Sequence, residues 1–184
     1  VSNILMAAVG IQSLLYSRER VVDQVRHTTG NLTALTEVSL AETARRIDMA
    51  LQQVTDELER QAHEGIPSDA EIDRMLLRQH GRHPEIVNLR LSDAAGEVRW
   101  GNGIDRAALT NWRDRAFFRE HQADPGQRMI VSEPIVGKIS KVWMIAFTRS
   151  YRDADGAFAG VVSAAVQVSQ LIGLIAKLDL GAHG

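Results

Sequence analysis

The order of elements along the chain predicts an α+β fold: a long N-terminal helix packed on a five- or six-stranded antiparallel sheet. Three observations carry this expectation. From Arg18 to about Gln61 the sequence has no proline, Gly30 as its only glycine, and apolar residues at helical spacing. From Ile86 onward, strand-like runs are punctuated by turns such as Asp93-Ala94-Ala95-Gly96 and Asp153-Ala154-Asp155-Gly156. Helical and strand-like segments are segregated along the chain, whereas a doubly wound sheet would need strict alternation.

The first element is the apolar run from Ile4 to Tyr16. At about 13 residues it is shorter than the roughly 20 that span a bilayer. It reads as the end of a transmembrane helix over residues 1–17, as a buried core helix, or as a signal-peptide core. The boundary formed by Tyr16, Arg18, Glu19 and Arg20 favours the first. Residues 18–62 are expected as the long helix. Within it Leu40, Ala44, Ile47, Leu51, Val54 and Leu58 step by four and three, a heptad seam. Such a seam packs on the domain's own sheet, pairs with a second copy, or does both. Gly65 and Pro67 stop the helix.

Residues 63–184 hold the rest. Ser68-Asp69-Ala70-Glu71 has the form of a capping box, in which the serine and the glutamate three residues on satisfy each other's backbone amides. It opens a helix over 69–80 with Ile72, Met75, Leu76 and Gln79 inward. Residues 86–91 and 97–100 form a hairpin across Asp93-Ala94-Ala95-Gly96. A loose helical stretch in two pieces is expected over 105–121. Strands follow over 129–132, 141–150 and 157–168; the last is apolar on both faces and therefore central. A final helix is expected over 170–177.

Composition narrows the function. The 184 residues carry 21 basic and 23 acidic side chains, a net charge of −2, so no bulk field attracts nucleic acid. Aromatics make up 5%, too few for a base-stacking surface. The chain has no cysteine, which excludes disulfides, thiol catalysis and cysteine-ligated zinc. His27, His63, His80, His83, His121 and His183 are scattered without ligand spacing, so no metal is expected. His121 is read as the end of a helix, its charge suiting the C-terminal dipole. No serine has a Gly-x-Ser-x-Gly context or an ordered His and Asp. Asp153 and Asp155 belong to a turn. No enzyme activity and no cofactor are expected.

The residues that point to binding lie later. In a helix, Arg115 and Arg119 share a face, with Phe118 beside it. The arginine fork grips a carboxylate in bidentate fashion, and an aromatic neighbour shields the pair. The bland alternative is an ion pair from Arg115 to Asp114 or Glu120, with Phe117 and Phe118 in the core. Lys141, Trp143, Ile145 and Arg149 fall on one face of a strand. That face either walls a pocket or leaves Lys141 on a sheet edge and Trp143 in the core. Ser163 on the next strand bonds a ligand or its own backbone.

One succession runs through this half of the chain. It comprises Asp114, Arg115, Phe117, Phe118 and His121; Ser132 and Pro134; Trp143 and Arg149; and Asp153, Gly156, Gly160, Val161 and Val162. It resembles the extracytoplasmic PAS-like sensor domains (PDC or Cache domains) of bacterial histidine kinases, diguanylate cyclases and chemoreceptors, over roughly residues 32–180. The resemblance implies a PAS-like fold binding a small anionic metabolite, such as a carboxylate, between sheet and helix. Arg115, Phe117 and Phe118 match the ligand position, and Lys141, Trp143, Arg149 and Ser163 are further candidates. It also implies a homodimer through the N-terminal helix, anchoring in the cytoplasmic membrane, a periplasmic domain, and a second module after residues 178–184. The amino-acid-binding version has a Trp-Tyr pair where Phe117-Phe118 stand, and an earlier Tyr where Trp112 or Asn111 stands. These departures argue against an amino-acid ligand. The alternative is a cytosolic PAS module that holds haem, flavin or nothing and serves in dimerisation.

Overall fold

The computed structural model describes residues 38–65, 67–126 and 128–173. The expected transmembrane end, residues 18–37 of the long helix, and everything after residue 173 lie outside them. The chain divides into two units, and the one spanning Glu42–Leu174 contains the sheet and its packing. No helix among the described residues is long and apolar enough to cross a membrane.

Helix α1 covers residues 38–64. Its seam is as expected: Ile47, Leu51, Val54 and Leu58 are buried at 4% exposure or less. Helix α2 is Asp69–Arg82, and Glu71 Oε2 accepts from both the backbone amide and the hydroxyl of Ser68, at 2.8 and 2.7 Å. This reciprocal cap satisfies a helix-end amide that would otherwise have no partner.

The strands are β1 (Asn88–Ser92), β2 (Val98–Gly101), β3 (Ile130–Val131), β4 (Ile135–Val136), β5 (Trp143–Arg152) and β6 (Phe158–Gln167). They form one antiparallel sheet in the order β2-β1-β6-β5-β3, with β4 also pairing with β5. The α+β expectation and the central place of β6 both hold. At the β5–β6 turn the Gly156 amide donates to Asp153 O at 3.0 Å, and Gly156 takes φ +79°. That conformation suits a residue without Cβ.

One expectation is corrected, and one short strand is added. Helix α3 is only Ala116–Ala123. Residues 105–115 hold two turns, and between them residues 109–112 run extended beside the β1–β2 hairpin, where Val98 N donates to Thr110 O and Trp112 N donates to Gly96 O, each at 2.8 Å. Pairing with the edge strand outweighs the weak helical pattern, because β2 would otherwise leave its outer backbone groups unbonded. The two-residue β4 had no signal beyond Ile135-Val136, too short a run to show a period.

The sheet has two covered faces. Leu89 and Leu91, Phe147 and Tyr151, and Val162, Ala164 and Val166 pack with α1 and α2. On the other face Val98, Ala146 and Val161 pack with Trp112, Phe117 and Phe118. Each strand therefore contributes alternate residues to each side.

Candidate functional site

Small side chains open a cavity on the α3 face. In the register of the sheet, Asn88 stands opposite Ala165 and Ala165 opposite Ala146. In the next row Arg90 faces Ser163, which faces Thr148. Ala146, Ser163 and Ala165 do not fill the height under α3, and the space left there is a cavity of about 30 Å³. Asn88 and Arg90 form its polar floor. Trp112 and Phe117, in edge-to-face contact with centroids 5.8 Å apart, form one wall. Ile135, Gly137, Lys138, Ile139 and Met144 form the other, and Arg115 stands at the mouth.

Arg90 is 8% exposed, yet among the described residues it meets no carboxylate. Burial alone lowers its pKa from the ordinary arginine value. Its Nε donates to Asn102 O at 2.8 Å and its Nη2 to Asn88 Oδ1 at 3.0 Å. The Gly101-Asn102-Gly103 corner makes this possible. Asn102 Oδ1 also accepts from Leu89 N at 2.9 Å, tying the corner to β1. Both glycines have positive φ, +117° and +69°. A Cβ on Gly101 would lie 2.2 Å from Leu89 O and one on Gly103 3.2 Å from Arg90 Nη2. The short glycine segment thus cradles an arginine.

The Asn88 side chain completes the floor. Since arginine only donates, the Asn88 atom facing Arg90 is its oxygen. The amide nitrogen Nδ2 is then buried without a partner among the described residues. A buried donor left unmatched costs about 1–3 kcal/mol, so an acceptor arriving in the cavity would be favoured there.

Arg115 is the N-cap residue of α3, with extended backbone, and does not lie on the helix with Arg119 as its spacing suggested. Its Nη2 donates to Val136 O at 2.8 Å. Lys138 donates to Asn111 O at 2.7 Å and to Asp114 Oδ1. That bond is the main reason the Asp114 carboxyl lies below its usual range. These two contacts clip the segment after β4 across the mouth.

Of the seven candidate residues, the structure brings Arg115, Phe117 and Ser163 to the cavity. Phe118 is fully buried beside Phe158, at 5.5 Å between centroids, and serves the core. Lys141 and Trp143 are exposed, Trp143 at 59%; Lys141 lies in the loop before β5, and Trp143 opens β5 opposite Val136. Arg149 points to the α1 face, where its Nε and Nη2 grip Asp48 at 2.6 and 3.0 Å. The alternation holds for Trp143, Ile145 and Arg149 but not for Lys141, which precedes β5 with φ +59°, and it is the opposite face, Met144 and Ala146, that meets the cavity. Asn88, Arg90 and Lys138 went unread. The signal for the first two was present: polar residues alternating with Val87, Leu89 and Leu91 in a strand buried along its length. His121 does lie in the last turn of α3, but it is 0% exposed, bonds Thr148 Oγ1 at 3.0 Å and has its pKa lowered by burial, so it does not carry the charge expected there.

A larger cavity of about 360 Å³ lies on the other face, among Leu58, Ile72, Trp100 and Tyr151. None of the partnerless buried polar atoms belongs to its lining. Chemistry therefore favours the smaller one.

No protein-family model and no curated protein sequence matches the chain. Solved structures do. The extracellular domain of rpHK1S-Z16, assigned as a histidine kinase, matches at TM-score 0.67 and 23% identity over 78% of this chain and 58% of that one. The sensory domain of the Campylobacter jejuni chemoreceptor Tlp3 with isoleucine bound gives 0.65 and 14% over 80% of this chain and 61% of that one. The ligand-binding domain of the Pseudomonas aeruginosa PAO1 amino-acid chemoreceptor PctC, in complex with GABA, gives 0.53 and 24% over 78% and 66%. The chain thus spans less than two thirds of the first two domains. With a long helix on a six-stranded antiparallel sheet, and with these neighbours, the chain has the fold of the extracellular PAS-like (PDC/Cache) sensor domains.

Proposed function

We propose that the domain binds a small anionic metabolite in the cavity under α3, as the ligand-sensing part of a membrane-anchored receptor. Arg90 is the observation that carries this reading: a buried cation on the cavity floor with no carboxylate among the described residues. Burying a charge without a counter-ion is costly. An anion entering the cavity supplies that counter-ion and gains charge-assisted bonds in a site of reduced polarity. Arg115 at the mouth, which bonds a backbone carbonyl and no carboxylate among the described residues, adds attraction for the same sign of charge.

The neighbours support the sensing part of the reading, since Tlp3 is solved with isoleucine and PctC with GABA. The reading extends to a periplasmic position, pairing of two copies through α1, and an output that is a kinase, a cyclase or a chemotaxis module. A cavity of about 30 Å³ admits only one or two waters. A metabolite therefore enters when the segment clipped by Arg115 and Lys138 swings away. A ligand signals only if it favours one arrangement over the other.

The test is thermal unfolding against dicarboxylates, hydroxy acids, short fatty acids, phosphate, amino acids and polyamines. A ligand at 100 times its Kd stabilises by about 2.7 kcal/mol, a rise of a few degrees in Tm. The expected result is a shift with an anion that disappears in Arg115→Ala. A shift with polyamines alone overturns the anion reading, and an absorbing cofactor in purified protein favours the cytosolic PAS alternative.

A further inference from the structure

We infer that the domain holds a second ligand site, the cavity of about 360 Å³ on the α1 and α2 face of the sheet, and that it takes an apolar monocation such as an aryl-alkyl amine. This goes beyond the anion reading above and does not depend on it.

The walls are apolar. Leu58 and Ala62, one turn apart on α1, form one side, and Pro67 and Ile72 from the start of α2 form another. Trp100 of β2 and Tyr151 of β5 line it from the sheet. Leu58, Ile72 and Tyr151 are buried, so the body of a ligand seated among them is shielded from water. The space stays open because the side chains of Ala62, Ala154 and Ala159 end at Cβ. Its volume falls within the range of small-molecule sites, about 300–1,000 Å³.

The rim is acidic. Asp69, Asp153 and Asp155 line the cavity against a single guanidinium, Arg152. Asp69 is already matched, since it accepts from Trp100 Nε1 and pairs with Arg106, each at 2.9 Å. Arg152 spends Nε and Nη2 on Pro125 O, which lies outside the cavity, at 3.2 and 2.7 Å. Asp153 Oδ1 holds the β5–β6 turn by accepting from the amides of Asp155 and Ala157. Neither Asp153 nor Asp155 pairs with a cation among the described residues.

Charge and shape together select the occupant. An ammonium group at the rim supplies the counter-charge that Asp153 and Asp155 lack, and the rings of Trp100 and Tyr151 attract the same sign of charge. An anion meets two unpaired carboxylates, which selects against it. A ligand that is polar throughout loses hydration against the walls. The occupant touches α1 at Leu58 and Ala62. Any preference it has for one placement of that helix therefore shifts α1 directly, without passing through the sheet.

The experiment is titration calorimetry of the chain at low salt, followed by NMR, with three matched probes: phenethylamine, phenethyl alcohol and 3-phenylpropionate. The amine should bind about fivefold more tightly than the alcohol, or better, and the acid most weakly of the three. Location is read from the three tryptophans. Trp100 lines this cavity, Trp112 lines the one under α3, and Trp143 is exposed. The amine should shift the indole N–H resonance of Trp100 and leave that of Trp112 in place. Asp153→Asn with Asp155→Asn keeps an oxygen for the turn amides and should bring amine and alcohol within about twofold of each other. Ala62→Leu, at a half-buried position, fills the cavity and should abolish binding of both; if it fails to fold, Ala154→Leu on the exposed turn fills it from the other side. Equal binding of amine and alcohol, or no heat with any probe, overturns the inference and leaves the anion reading standing. A shift of Trp112 in place of Trp100 overturns it and counts against the anion reading as well.

Discussion

His121 shows how one side chain joins the site to the stability of the domain. It is 0% exposed at the foot of α3. Thr148 Oγ1 donates to Ile130 O at 3.1 Å, so it accepts from His121 Nε2 at 3.0 Å. That fixes the proton on Nε2 and leaves Nδ1 buried without a partner. Burial is the main reason its pKa falls from 6.5 to about 4. Between those values the unfolded chain holds a proton that the folded chain lacks. Stability is therefore full above the unfolded pKa and declines as pH drops through 6.5 toward 4. At about 1.4 kcal/mol per unit, the loss between pH 7 and 5 is about 2 kcal/mol. Urea unfolding at both pH values should show that loss in the wild type and a clearly smaller one in His121→Gln; equal slopes would mean that His121 is not the titrating group. The sequence held part of this, since His121 follows Phe118 by three and so shares its buried helical face. It did not hold the bond to Thr148, which depends on how α3 lies across β5.

At the scale of elements, periodicity gave the phase of each strand but not which side each phase would face. Trp143, Ile145 and Arg149 do share a face, yet α1 and the cavity lie on opposite sides of the sheet, and a period of two is silent about which is which. The deciding contact is distant in sequence: Arg149, with its side chain 8% exposed, pairs with Asp48 on α1. A second tie holds the same two elements, as Glu59 Oε1 accepts from Arg152 N at 3.0 Å. Removing one partner of a buried pair leaves the other charge unmatched, at a cost of about 3 kcal/mol or more. Asp48→Ala should thus lower stability by that order in urea unfolding. Asp48→Leu combined with Arg149→Met should recover most of it, because an apolar pair of similar volume avoids the desolvation cost. A double variant no better than Asp48→Ala would show that the ion pair is needed for the register of α1 on the sheet.

For the whole molecule, the segregation of helices and strands was enough to place a long helix on an antiparallel sheet. The cavity was less visible, because it is made by what Ala146, Ser163 and Ala165 lack, and small residues in a strand carry no periodic signal. The same sheet couples its two sides. Asn88 and Arg90 face the cavity while Leu89 and Leu91, between and beyond them, pack toward α1. Met144 and Ala146 face it while Phe147 and Arg149 meet α1. A ligand that draws on Arg90 and parts Lys138 from Asp114 thus acts on strands whose other face carries the helix. Coupling of this kind requires a change in equilibrium at both places. Hydrogen exchange with and without a saturating concentration of the anion that raises Tm should therefore show two effects. Amides of residues 135–142 should slow, as the wall settles on the ligand, and those of α1 from 47 to 58 should change with them. Slowing confined to 135–142 would place the binding event on one face only, and α1 would then not be the element that carries the signal.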